Sequence, residues 1–192
     1  RVATFNASLN RNSAGELITD LSTPDDAQAK SVAEIIQRTN PDVILINEFD
    51  YDAAGTAADL FRQNYLEVSQ NGVAPVEYPY VYVAPSNTGI ASGLDLDNNG
   101  SVGGGNDAFG FGTFEGQFGM VLFSKYPIIS DEVRTFQNFL WKDMPGNLLT
   151  NDLTIDNPAT TVNENLNGFY SQEEINVLRL SSKSHWDVPV LV

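Results

Sequence analysis

Between Pro41 and Asp50 the chain reads PDVILINEFD, and this stretch restricts the possible folds more than any other. Val43, Ile44, Leu45 and Ile46 form an unbroken aliphatic run, mostly β-branched, which is the composition of a strand covered on both faces. Asn47, Glu48 and Asp50 then crowd its end. An open α/β sheet places its ligand crevice beyond the carboxyl ends of its strands.

The residues before it supply the rest of a folding unit. VATFNAS alternates, with Val2, Thr4 and Asn6 on one face and Ala3, Phe5 and Ala7 on the other. Thr23-Pro24-Asp25-Asp26 reads as a helix start, Thr23 as N-cap and Pro24 at the first helical position. Ala29, Val32, Ala33 and Ile36 repeat at helical spacing, so the helix runs to about Arg38, and Asn40-Pro41 stops it. Strand, helix and strand with short connections predict a parallel βαβ unit with a right-handed crossover.

Downstream, TAADLFRQNYLEV after Gly55 predicts a second helix with Ala58, Phe61 and Tyr65 on one side. YPYVYVAP and GMVLFSKYPI predict short strands, and GLDLDNNGSVGGGNDAFGFG is too rich in Gly, Asn and Asp for regular structure. Asp143 to Gly168 reads as a long loop, and NVLRLSSKSHWDVPVLV as a strand interrupted by SSKSH. No repeat and no linker divides the chain, so residues 1–192 are expected to belong to a single domain.

Composition narrows the function. An apolar fraction of 42% supports a core, and no run reaches membrane-spanning length. With no cysteine, disulfides and thiolate metal sites are excluded. Twenty-five acidic against ten basic residues give a formal charge of -15, without a Lys/Arg cluster. Strong binding to duplex DNA is therefore not expected. Nucleic-acid chemistry stays open, because a bound divalent metal can invert the local field.

Three groups of residues carry candidate chemistry. Asn6 and Glu48 sit at the carboxyl ends of two strands of one βαβ unit, so an amide and a carboxylate reach the same sheet edge and could hold Mg²⁺. The plainer reading is that Glu48 and Asp50 solvate a loop. His185, the sole histidine, either contacts a substrate phosphate with Lys183 and Asp187 nearby or makes a hydrogen bond at a strand start. Asp95, Asp97, Asn99 and Gly100 repeat the first half of a calcium loop, whose twelfth position is Asn106 followed by Asp107. A solvated Gly/Asp loop is the alternative there.

Four segments, VATFNASL, AEIIQRTNPDVILINEFD, GQFGMVLFSKYPI and RLSSKSHWDVPV, together resemble the endonuclease/exonuclease/phosphatase superfamily. The resemblance implies a four-layer α/β sandwich of the deoxyribonuclease I type, of which this chain supplies the first half. It implies metal-dependent phosphoester hydrolysis with Mg²⁺ or Mn²⁺. Glu48 would be the principal metal carboxylate, and Asn6 would orient the metal and the scissile phosphate. Where some members place a phosphate-touching tyrosine, this chain has Gln117 or Phe118. The family's catalytic histidine with its aspartate, and its Asp-x-Asn motif, would lie downstream. Residues 1–192 are thus expected to form the N-terminal part of the domain, partnered by a C-terminal half and inactive alone. The substrate would be a nucleic acid, a phospholipid head group or a small phosphate ester, in a secreted or periplasmic setting. The rival expectation is a non-catalytic extracellular module binding Ca²⁺ through Asp95 to Asp107.

Overall fold

The computed structural model of the chain describes residues 1–147, 149 and 170–192. A four-stranded sheet lies at its centre, built from β1 (Val2–Leu9), β2 (Val43–Phe49), β3 (Tyr80–Val83) and β4 (Met120–Ser124) in the order β1-β2-β4-β3. The expected βαβ unit is present. β1 and β2 pair in parallel, and the crossover holds α1 (Glu16–Leu21) and α2 (Ala27–Thr39). β4 runs antiparallel to both β2 and β3.

The helix starts later than Thr23. Asp26 is the cap: its backbone is extended and its side chain accepts the N–H of Ala29 at 2.7 Å. The Thr23 carbonyl is taken instead by the Tyr65 hydroxyl at 2.5 Å, which in turn accepts the Asp26 N–H at 3.1 Å. α1 lies between β1 and Thr23, in a segment with little helical periodicity. Its N-cap is Gly15, with no side-chain cap, and only Leu17 and Leu21 mark its buried stripe.

α3 (Thr56–Phe61) continues into a π-helical turn over Arg62–Leu66. A π turn leaves carbonyls without their usual donors. Buried Gln37 supplies donors from α2, reaching the Leu66 carbonyl at 2.9 Å and the Val68 carbonyl at 2.8 Å. Phe61 stands at the centre of the core, its ring 6.0 Å from Phe49, 5.9 Å from Tyr65 and 6.2 Å from Phe123.

The two faces of the sheet differ. Ile44 and Ile46 are sealed under the helices, whereas Val43 and Leu45 are half-buried. The expectation that β2 is covered on both faces therefore holds fully for one face. Over the other lies a cavity of about 730 Å³ lined by Val43, Leu45, Met120, Leu122, Trp186 and Val190. A second sheet of two antiparallel strands, β5 (Arg134–Thr135) and β6 (Trp186–Asp187), stands there, with Trp186 edge-on to Tyr82 at 5.0 Å.

The long terminal strand is a correction. NV ends the helix α4 (Gln172–Val177), which is capped by Ser171, and only Trp186–Asp187 is strand. The sequence from Leu178 to His185 bends because the Asn87 side-chain amide and N–H take the carbonyls of Ser181 and Lys183, at 2.6 and 2.8 Å. Most of the loop expected from Asp143 to Gly168 lies outside the described residues. No helix among the described residues is long and apolar enough to cross a membrane.

Phe61→Ala empties the centre of this core, where Phe61 is 0% exposed. The expected loss is about 3–5 kcal/mol of unfolding free energy, read from urea denaturation; a loss under about 1 kcal/mol would place the core elsewhere.

Candidate active site

Parallel pairing brings the carboxyl ends of β1 and β2 together, with Asn6 opposite Asn47, and Met120 at the start of β4 opposite Asn47 on the other side. Regular pairing stops there. The β1–β2 register shifts between Asn6 and Leu9. Gln28, from α2, holds the displaced backbone by donating from Nε2 to the Ser8 carbonyl at 2.7 Å. Bulges re-aim side chains at sheet edges. Here the Ser8 N–H donates to Asn6 Oδ1 at 3.1 Å and Ser8 Oγ donates to Glu48 Oε2 at 3.4 Å. Asn6 and Glu48 are thus joined through one serine, and both remain open to solvent.

Backbone strain marks the same edge. Six described non-glycine residues have positive φ, and Asn40, Asn71 and Asn98 are asparagines, which tolerate it. The other three are Ser8 at 49°, Glu48 at 57° and Phe118 at 57°. A left-handed residue of this kind costs about 1–2 kcal/mol. Such strain persists where its surroundings over-determine it, and it gathers at functional sites.

Two charged side chains, buried Asp50 and half-buried Lys183, hold Phe118. Asp50, 6% exposed, accepts the N–H of Phe118 at 3.0 Å and of Arg11 at 2.7 Å. Lys183 Nζ donates to the Phe118 carbonyl. Burial pushes the Asp50 carboxyl above its usual range, and the two backbone donors pull it partly back. Burial pushes the Lys183 ammonium down, against the opposing charges of Glu48 and then Asp50. Lys183 is therefore coupled electrostatically to Glu48.

Gln117 is buried, and both ends of its amide are used inside the protein. Its Oε1 accepts the Thr113 N–H at 2.7 Å, and its Nε2 donates to the Arg11 carbonyl at 2.7 Å. It fixes the turn that carries Phe118. Gly116 completes that turn at φ 88°, where an added Cβ would stand 2.9 Å from the Tyr51 carbonyl oxygen.

His185 is exposed, its carbonyl accepts the Phe136 N–H at 2.9 Å, and its side chain borders the sheet-face cavity beside Trp186. Among the described residues its ring makes no hydrogen bond to Asn6 or Glu48. Lys183, two positions earlier, is the residue of SSKSH that the fold couples to Glu48. Sequence reasoning noted Lys183 only as a neighbour of His185, and missed Ser8 entirely. A bulge leaves no periodic signal, so nothing in VATFNASL singles Ser8 out.

The acidic loop is a separate cluster. Ligand oxygens of Asp95, Asp97 and Asp107 lie within 4.8 Å of one another. The Asn99 N–H donates to Asp95 at 3.0 Å and to Asp97 at 3.1 Å, and Asp107 accepts the N–H of Leu96 at 2.8 Å and of Gly103 at 2.7 Å. Asp107, not Asn106, supplies the closing carboxylate; the Asn106 amide donates to Asp97 at 3.0 Å. The Asn99 side chain accepts the Ser101 N–H at 2.9 Å and stabilises the turn.

The arrangement is that of an α/β protein with a polar site at the carboxyl edge of its sheet. A family model described as the Endonuclease/Exonuclease/phosphatase family matches residues 3–187, and the chain belongs to that family. Its general chemistry is metal-dependent phosphoester hydrolysis, typically with divalent cations. No curated protein and no solved structure gives a significant match.

Glu48→Gln removes the negative charge that most favours the Lys183 ammonium. The Lys183 pKa should then fall further below the ordinary lysine value, followed by NMR titration of its Cε resonance. An unchanged titration would mean that the two groups are not coupled.

Proposed function

We propose that this chain, completed by the C-terminal half that its resemblance implies, hydrolyses phosphoesters with Mg²⁺ or Mn²⁺ held by Glu48 and Asn6. The observation that carries this reading is the strained, Ser8-linked placement of Asn6 and Glu48 at the open carboxyl edge of the sheet. The donor set fits such a cation: hard oxygens, one carboxylate, and room for waters and phosphate oxygens. When bound, the cation supplies Lewis-acid polarisation of the phosphoryl oxygen.

The chain's own residues prepare that chemistry. Ser8 orients the amide oxygen and the carboxylate before any ligand arrives. Lys183 offers a desolvated ammonium on the same side, and charge kept from water acts more strongly on a phosphate than it would in bulk solvent. Asp50 and Gln117 shape the turn between them without touching substrate.

Two finer assignments go with this reading. β5 and β6, standing over the half-buried face of Val43 and Leu45, support a layered sandwich of the deoxyribonuclease I type with helices outside. The cluster of Asp95, Asp97 and Asp107 is assigned to Ca²⁺, which accepts more oxygen ligands in looser geometry than Mg²⁺.

With bis-p-nitrophenyl phosphate as probe, turnover by the protein that includes the C-terminal half should vanish in EDTA and return with Mn²⁺ or Mg²⁺. Glu48→Ala should lower it by more than about 100-fold, since even residues supporting metal ligands cost 10–100-fold. Activity retained in Glu48→Ala would overturn the metal assignment.

Ca²⁺ at about one hundred times its Kd should stabilise the fold by about 2.7 kcal/mol, seen as a rise in Tm. Asp97→Asn should abolish that rise; an equal rise in the variant would move Ca²⁺ to another site.

A further inference from the structure

Asn99 and Gly100 stand in the acidic loop as an Asn-Gly pair, whose chemistry the hydrolytic site does not use. Glycine puts no side chain around its nitrogen, so that nitrogen can attack the preceding asparagine amide at close range. Asn71-Gly72 is the other such pair among the described residues, and both pairs are exposed. Their surroundings differ.

Around Gly100 the loop supplies what the attack needs. The two oxygens of Asp95 take consecutive backbone donors: Oδ1 accepts the Asn99 N–H at 3.0 Å and Oδ2 the Gly100 N–H at 2.8 Å. A carboxylate therefore rests within proton-transfer reach of the attacking nitrogen. Asn99 Oδ1 accepts the Ser101 N–H at 2.9 Å, which folds the amide back across the Gly100 peptide. The same N–H stands where negative charge gathers on that oxygen during attack. A Cβ added at Gly100 would meet nothing within 4 Å, so no neighbour obstructs ring closure.

At Asn71 this arrangement does not recur. Asn71 and Gly72 form a two-residue turn with φ of 48° and 77°, closed by the Val73 N–H on the Gln70 carbonyl at 2.8 Å. The Asn71 amide nitrogen donates to Glu34, and among the described residues the Gly72 N–H meets no carboxylate.

We propose that Asn99 is a self-modification site, converted to aspartate or isoaspartate by attack of the Gly100 nitrogen with Asp95 as the base. The Gly100 nitrogen passes its proton to Asp95 and bonds to Asn99 Cγ. The amide nitrogen takes up that proton and leaves as ammonia, which closes a cyclic imide. Water then opens one of the two ring C–N bonds, giving aspartate or isoaspartate. The inference stands apart from the phosphoesterase reading. Conversion adds a carboxylate to the cluster of Asp95, Asp97 and Asp107 and, in the isoaspartyl form, a backbone methylene at its turn. Either product alters the loop irreversibly, in step with the age of the molecule.

The test follows the amide directly, with Asn71 as the reference in the same sample. The protein is incubated in EDTA, digested, and the peptides carrying Asn99 and Asn71 are resolved by chromatography and mass spectrometry. Asn99 should convert about tenfold faster than Asn71, short of what a buried base contributes because both groups here face water. Asp95→Asn keeps an oxygen for the two N–H groups and removes the base. It should slow Asn99 about tenfold and leave Asn71 unchanged. From roughly pH 6 to 8 the wild-type rate at Asn99 should stay nearly flat, while that at Asn71 climbs with hydroxide. Equal rates at the two sites, or no slowing in Asp95→Asn, would overturn the proposal. So would a rate at Asn99 that climbs as steeply as at Asn71, since an ordinary Asn-Gly pair behaves that way. Faster conversion in Asp95→Asn would also overturn it, because the loop would then be protecting the amide.

Discussion

The buried carboxylate of Asp50 is the constraint on which the site edge depends. One of its oxygens takes the N–H of Arg11, just beyond β1, and the other takes that of Phe118, just before β4. Its own N–H donates to the Leu9 carbonyl at 3.1 Å. One residue at the end of β2 therefore fixes where its neighbouring strands leave the sheet. Burying a carboxylate costs free energy, and hydrogen bonds to a charged acceptor are the strong kind that offsets it. Arg11 then extends the tie, since its guanidinium reaches Asp20 at 2.6 Å and Gln28 at 3.2 Å. Gln28 holds the bulge at Ser8, so the same network that locks the loops also sets the link between Asn6 and Glu48.

The strain at this edge follows from that arrangement. Ser8, Glu48 and Phe118 each adopt a backbone conformation that an unconstrained chain would avoid. Ser8 is held by Gln28, Phe118 by Asp50 and Lys183, and Glu48 lies between strands whose departures are already fixed. The strain is distributed over contacts formed by the core, where Phe61 and its aromatic neighbours supply the stabilisation. A site preorganised this way loses little order when a ligand binds, which favours both affinity and rate.

Much of this was legible in the chain. The run VILI, the alternation of VATFNAS and the periodic residues of α2 fixed the parallel unit, and parallel strands bring Asn6 and Glu48 to one edge whatever their side chains do. The illegible parts depend on distant partners. Thr23 looked like the better cap, but Tyr65, some forty residues on, claims its carbonyl, and Asp26 caps instead. His185 drew attention by its chemistry, while Lys183 meets the Phe118 carbonyl where Asn87 bends the backbone between α4 and β6. Asp107 joins Asp95 and Asp97 only because the glycines between them let the loop fold back. Periodicity records which face a residue takes within an element, and it carries no record of the partners that meet it from distant parts of the chain.

The charge of -15 sets the remaining condition on any anionic substrate. A field of that sign slows the approach of phosphates over distances up to a Debye length, about 8 Å at physiological ionic strength. Selectivity must then come from contacts inside that range. Lys183 qualifies because its half-buried ammonium competes with less water, and the opposing charges of Glu48 and Asp50 favour its charged form. A divalent cation at Glu48 and Asn6 would qualify for the same reason, reversing the local field without altering the global one. Under the proposed reading, a molecule that repels anions at long range accepts them only where close contacts at one strained edge outweigh that repulsion. Steering is thereby replaced by fit, which is why the rigid loops around Phe118 matter as much as the charged groups beside it.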